Sequence, residues 1–355
     1  MPELPEVEHY RQILLSLVSN QGSKQQNKSV QLEFGPPPLP TKRFPSEQTI
    51  RLINEGNYNI TDVLRKGKVL CVVLEKRTGT VAAKADDMTT ITEEANITGK
   101  EATILLTLHM GMTGRISSPN HIPKLESLSD ECSYPPPHTH LIINSPNGQQ
   151  ACFSDPRRFG SVFVRSYDGQ TTVDEEFIPA FQELAPDALA ASIQTSNPDI
   201  VDKFVNQKKG IKAILLDQRH VISGVGNWVA DEVLYRSRLH PDQPFLTASE
   251  ATKLLSEIQY VLSTAVKCLN DGEEFPEQWL FHSRWRGGGS SGTNSKDFNG
   301  KTISFVKSGG RSSAIVPSLQ KKVARKVITA DSGTTECKKK KSATKPSTSV
   351  KRRKR

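Results

Sequence analysis

The sequence predicts an α+β protein: an N-terminal β-sandwich flanked by helices, a helical domain, and a β-hairpin at its end. Three observations carry this. Short apolar runs rich in β-branched residues crowd the first half of the chain. After about Val173 the apolar spacing changes to the three-and-four pattern of helices. Near the end, Ile303 and Phe305 are separated from Ala314 and Val316 by Gly309-Gly310, a glycine turn between two alternating runs.

The elements follow in order. Val7, Tyr10, Leu14, Leu17 and Val18 share one face of a helix expected over 6–18. The polar segment 20–29 and the proline-rich segment 35–45 read as loops. Strands are expected at 69–74, 104–109, 141–144, 151–154 and 161–164. The polar stretches 76–100 and 117–137 between them read as surface insertions. Helices follow at 200–205, 211–216, 228–236 and 247–269. Ser249 with Thr252 or Lys253 makes a poor capping box, so no cap fixes the start of the last helix. Residues 287–296 form a Gly/Ser loop. The expected domains are 1–172, 173–286, the hairpin 287–320, and a disordered basic tail at 321–355.

A chain of 355 residues has room for two domains and a core. No apolar run reaches the ~18 residues that span a membrane. MPELPEVEHY is acidic and lacks the apolar segment of a secretory signal. The cysteines Cys71, Cys132, Cys152, Cys268 and Cys337 form no CxxC pair. Neither zinc, another cofactor, nor a disulfide framework is expected, and the scattered thiols suit a reducing, intracellular compartment. The net charge of +9 belongs to the tail: the last 18 residues hold ten Lys or Arg and no acid. Without those ten, 37 basic residues face 38 acidic ones. KKKK and KRRKR, nine residues apart, have the form of a bipartite nuclear import signal, and the tail also attracts phosphate.

Chemistry concentrates at the N-terminus. Pro2 follows Met1, so removal of the initiator exposes a secondary amine. An α-amino group titrates near ~7.7–8.0, against ~10.4 for lysine, so part of it is unprotonated at neutral pH. Attack of a secondary amine on a sugar C1′ gives an iminium that cannot be neutralised at nitrogen, a strong electron sink for eliminating the neighbouring phosphate. Glu3 is adjacent for acid or base work, and Glu6 lies one helical turn on. The same carboxylates also suit a plain helix N-terminus. Gly224-Val225-Gly226-Asn227 precedes a helix, where glycines admit a phosphate to the terminal amides, and Asn227 can cap, contact phosphate, or both. Arg157 and Phe159 share one turn that suits contact with an orphaned base, although Phe159 also fits a core. Met112, flanked by glycines, is either core filler or a wedge.

Six stretches taken together resemble the formamidopyrimidine-DNA glycosylase family. They are MPELPEVE, RKGKVLCVVLE, HMGMTGR, DPRRFG, GVGNWVADEVLY with LHPDQP behind it, and GGRSSAIVPSLQ. The resemblance implies a helix–two-turns–helix element in the second domain and a hairpin finger of the zincless type found in plant and fungal members. It implies that Pro2 is the nucleophile, assisted by Glu3, Lys68 and Arg311. Lys68 would lie on a strand and contact the lesion phosphate. Met112, Arg157 and Phe159 would fill the gap left by an everted nucleotide. His138, Lys212 and Asn227 would contact DNA, although His140 competes with His138 for that position. Glu232 matches a family glutamate of structural rather than catalytic type. The expected partner is damaged double-stranded DNA, the expected protein a nuclear monomer, and the expected reaction base excision with strand cleavage at oxidised purines. Formamidopyrimidines and hydantoins are favoured over 8-oxoguanine, because the region between Asp271 and Gly300 differs from that of bacterial members. Two other readings stand beside this one: a lesion-binding protein without catalysis, against which Pro2 and Glu3 argue, and an abasic-site lyase only.

Overall fold

A computed structural model describes residues 2–18, 29–35, 42–77, 103–123, 133–167, 173, 175–190, 193, 197–205, 207–284 and 295–325. The elements are α1 (Leu4–Leu15), β1 (Gln31–Phe34), α2 (Glu47–Glu55), β2 (Tyr58–Lys66), β3 (Val69–Lys76), β4 (Thr103–His109) and β5 (Arg115–Ser117). Next come β6 (Thr139–Asn144), β7 (Gln150–Ser154), β8 (Ser161–Tyr167), α3 (Pro179–Gln182), α4 (Pro198–Val205), α5 (Ile211–Leu216), α6 (Asn227–Ser237), α7 (Ala248–Asp271), β9 (Ser304–Ser308) and β10 (Arg311–Ile315).

The strands form two four-stranded antiparallel sheets, β1-β6-β7-β5 and β2-β3-β4-β8. The uninterrupted apolar run of β3 has a simple cause. Leu70, Val72 and Leu74 point into the core shared with Leu106, Leu141 and Phe153, on which α1 also packs through Val7, Tyr10 and Leu14. The alternate residues Val69, Cys71 and Val73 meet Ile178 and Phe181 on the opposite face. A strand buried on both faces needs apolar residues at every position.

The second core belongs to the helices. Phe204, Ile211, Leu215, Val229, Val233, Leu254, Ile258 and Leu262 form it, and Leu4 from the start of the chain is inserted among them. Thr247 is the N-cap of α7: its hydroxyl accepts from Glu250 N–H, and Glu250 Oε2 accepts from Thr247 N–H. This reciprocal box fixes the helix start that Ser249 could not. Gly309 and Gly310 both have positive φ, as a two-residue turn with the twist of a hairpin demands, and join β9 to β10.

Several elements depart from expectation. α1 begins at Leu4, two residues early, because Pro5 in the first turn needs no N–H partner and Glu6 accepts from Glu3 N–H. β1 and β5 are too short to reveal a period, α2 buries only Thr49, Ile50 and Ile53, and the alternation of β2 is interrupted by a register shift between Ile60 and Asp62. Lys68 is not on a strand. It is the second residue of the two-residue turn between β2 and β3, after Gly67 at φ 57°. The Gly/Ser loop lies largely, and the basic tail almost wholly, outside the described residues, as do 78–100 and 124–132 of the two insertions. No helix among the described residues is long and apolar enough to cross a membrane.

Candidate functional site

The first residues of the chain are fastened to the Gly224–Asn227 turn. Leu4 N–H donates to Gly224 O at 3.1 Å. A Cβ on Gly224 would lie 2.2 Å from Leu4 Cδ1, and one on Gly226 would lie 2.2 Å from Glu3 Cδ, so both positions need glycine. The buried Glu3 carboxylate accepts from Trp228 N–H at 2.9 Å and Val229 N–H at 3.1 Å. The N-terminus of α6 thus receives the protein's own carboxylate, a favourable pairing with the helix dipole. This corrects the expectation that these amides are open to phosphate. Pro2, beside Glu3, is buried.

Three further charges converge here. Glu6 accepts from Glu3 N–H at 3.0 Å and from Trp228 Nε1–H at 3.0 Å. Loss of water around it and the neighbouring Glu3 push its carboxyl up to about 7. Burial holds the Lys68 ammonium below the usual lysine range, against the pull of Glu3 and Glu6 and together with the repulsion of Arg311. Lys68 and Arg311, 243 positions apart, therefore act on one locality with the two carboxylates. Arg311 is exposed and opens β10, directly behind the Gly309-Gly310 turn. Gly309 lies so close to Ala213 and Leu216 of α5 that a Cβ there would approach within 3.2 Å.

Other loops gather at the same sheet edge. Val69 pairs with His109, and His109 pairs with Ser161. The Lys68 turn, the turn after β4 that carries Met112, and the Asp155–Gly160 turn before β8 are therefore neighbours. A Cβ on Gly111 would lie 2.5 Å from Phe159 C and Gly160 N, which presses two of these turns together. The buried Asp155 carboxylate binds them: it accepts from Thr113 Oγ1 at 2.5 Å, Gly160 N–H at 2.7 Å and Arg157 N–H at 3.2 Å. Arg157 is exposed and its guanidinium lies 5.2 Å from the Phe159 ring centroid. Phe159 is 46% exposed, so it is not a core aromatic. Met112 is half-buried. The two histidines separate cleanly. His140 is buried and bonded to Asp155 O at 2.8 Å, whereas His138 is exposed with φ 60°.

One buried carboxylate fastens β10 of the hairpin to the helices. Asp231 of α6 accepts from Lys212 Nζ at 2.6 Å and Ser313 Oγ at 2.6 Å, and from Arg284 NH2 at 2.7 Å and Ala314 N–H at 3.2 Å. Lys212 is wholly buried, with a second contact to Ser312 O at 3.3 Å. Its charge is spent inside the protein, which departs from the expected phosphate contact. Asn227 is the first residue of α6 behind the cap Gly226, so it does not cap the helix; its Nδ2 donates to Ser312 O at 3.2 Å.

This arrangement has relatives. The formamidopyrimidine-DNA glycosylase N-terminal domain model matches residues 1–162, and the formamidopyrimidine-DNA glycosylase H2TH domain model matches residues 184–276. A formamidopyrimidine-DNA glycosylase of Thermus thermophilus is 32% identical over 269 residues, which cover 75% of this chain and 76% of that protein. The chain belongs to the formamidopyrimidine-DNA glycosylase family. A relative from Arabidopsis thaliana is 36% identical over 203 residues, or 56% of this chain, which spans about half (47%) of that protein. Among solved structures, the Lactococcus lactis enzyme of this family, bound non-covalently to DNA containing an AP site, superposes with a TM-score of 0.58 at 22% identity, covering 90% of this chain and 100% of that one. The crystal structure of the family member from Thermus thermophilus gives 0.57 at 26% identity, covering 91% and 100%.

Three residues of this candidate site escaped the sequence reading. His109 ends β4 beside the Lys68 turn and accepts from Gly111 N–H through Nδ1 at 3.1 Å. Burial, Lys68 and Arg43 lower its affinity for a proton. Trp228, read only as a helix residue, ties Glu6 to α6. Asp231 sits inside the GVGNWVADEVLY stretch, but its partners are 19 to 83 positions away, so no local signal marks it.

Proposed function

We propose that this protein removes oxidised purines from duplex DNA and then cleaves the strand, with Pro2 as the nucleophile after Met1 is removed. The supporting observation is the convergence of Pro2, Glu3, Glu6, Lys68 and Arg311 at the foot of α6. The Pro2 nitrogen attacks C1′, the bond from C1′ to the base breaks, and the sugar ring opens to an iminium. Each Glu3 oxygen spends one lone pair on an amide and keeps another for a proton from or to the sugar. Lys68, with its lowered proton affinity, holds the lesion phosphate and exchanges a proton during β-elimination. Arg311, at the hairpin turn, binds the flanking phosphate and serves the second, δ-elimination.

Met112, Arg157 and Phe159 occupy the space of the everted nucleotide, where stacking offsets part of the few kcal/mol lost on flipping. His138 faces DNA, and Asn227 has a second amide hydrogen for a phosphate. Lys212 acts indirectly, by holding the hairpin through Asp231. Formamidopyrimidines and hydantoins are the preferred lesions. The protein acts as a monomer, and the basic tail directs it to the nucleus; deleting 338–355 is expected to exclude it from the nucleus without changing excision in vitro.

The test is borohydride reduction during turnover of a duplex carrying a formamidopyrimidine. A covalent protein–DNA adduct and δ-elimination ends are expected. Strand cleavage without any adduct contradicts the mechanism. An adduct on abasic DNA with no base release reduces the activity to abasic-site lyase.

A further inference from the structure

We infer that Arg65 and Asp187 are positioning residues for Lys68, gripping the backbone of Gly67 immediately before it. This rests on the role proposed for Lys68. Asp187 Oδ2 accepts from Gly67 N–H at 2.6 Å, and Arg65 NH1 donates to Gly67 O at 3.1 Å. The two grips are joined by a fork: Arg65 NH1 and NH2 donate to Asp187 Oδ2 at 2.5 Å and Oδ1 at 3.1 Å. Arg65 Nε donates to Glu8 Oε2 at 2.6 Å, and Glu8 is held in turn by Arg11 and Gln12. A planar guanidinium bonded along two edges leaves no rotamer freedom to the pair.

The turn itself supplies the need. It has two residues, Gly67 is at φ 57°, and a Cβ there would lie 3.1 Å from Ser223. Lys68 reaches the site on a stem with four rotatable bonds, so the place of its Cα decides where the ammonium can stand. Asp187 comes from the segment that joins the sandwich to the helices, 120 positions from Gly67. It therefore couples the lysine turn to the lobe that carries α6. Asp187 borders a cavity of about 560 Å³ lined also by Glu8, Arg11 and Arg65, so truncating it enlarges an existing opening rather than leaving a closed void.

Single-turnover cleavage of an abasic duplex by the full-length protein lacking Met1 tests this. Asp187→Ala is expected to slow the chemical step about ten- to a hundredfold, as small misplacements of a reacting group do. DNA affinity should fall far less than the rate, because Lys68 supplies only one of several proposed DNA contacts. The basic limb of the pH–rate profile should shift, and Asp187→Asn, which keeps an acceptor for Gly67, should recover part of the rate. In a Lys68→Ala background the same substitution should cost nothing more. Should Asp187→Ala fail to fold, Asp187→Asn and Arg65→Lys carry the same cycle. An unchanged rate and pH profile in folded Asp187→Ala, beside a slow Lys68→Ala, overturns the inference alone. So does a loss that persists in full without Lys68. A fully active Lys68→Ala removes the lysine from the chemistry and overturns both.

Discussion

Asp155 and Asp231 each hold one loop of the proposed DNA face with a single buried carboxylate, and they do so differently. Asp155 is met by neutral donors within its own sheet edge, Thr113 Oγ1 and the Arg157 and Gly160 amides. Asp231 is met by two cations, Lys212 and Arg284, and by Ser313 and Ala314 of the hairpin. The first device orders its own turn and ties it to the turn of Thr113 on the same sheet edge. The second assembles α5, α6, β10 and the segment near Arg284 from separate parts of the chain, and it buries two cations against one carboxylate. Losing the first should loosen a turn, and losing the second should leave a buried ammonium unpaired.

The largest effect should therefore follow Asp231→Ala, about 3–5 kcal/mol of stability in denaturant unfolding, the usual cost of orphaning a buried charge. A loss below about 1 kcal/mol would show that the hairpin is held by packing alone. The neighbouring Glu232 sharpens the contrast, because it is equally buried but bonded through only one oxygen, to Phe281 N–H at 3.0 Å. Burial pushes it up to about 8. A carboxyl raised in the folded state favours folding below its unfolded value and loses that contribution as pH rises through the folded one. Glu232→Gln, which mimics the protonated form, should match the parent near pH 4 and exceed it by about 4 kcal/mol near pH 8.

Asp155→Asn should cost about 1–3 kcal/mol, since one amide oxygen cannot serve all three donors. The smallest change in stability should come from Phe159→Ala, within about 0.5 kcal/mol for so exposed a ring. Its effect should instead appear as slower release of the damaged base, with abasic-site cleavage spared.

The same contrast explains what was legible in the sequence. β3 was visible because burial on both faces makes its apolar run continuous, and α5 was placed at its observed limits. β5 has only three residues and β1 four, too few to show a period. Thr247 and Glu250 form a capping box in plain view, hidden because the helical pattern extends one residue too far and takes in the cap itself. At the site, the Asp155–Gly160 turn, Lys68 and Arg311 could be named because each sits in a contiguous stretch. The acceptor role of Glu3 could not, because its partners lie 225 and 226 positions away. Lys212 was misplaced for the same reason: a lysine's burial is decided by the carboxylate that folding brings to it.

The central assignment is Pro2 as nucleophile, with Lys68 as its assistant. The most direct measurement maps the borohydride-trapped protein–DNA adduct by proteolysis and mass spectrometry. The expected result is a sugar remnant on the N-terminal peptide, at Pro2, with no adduct from protein that retains Met1. A remnant on the peptide containing Lys68, or trapping undiminished with Met1 in place, would contradict it.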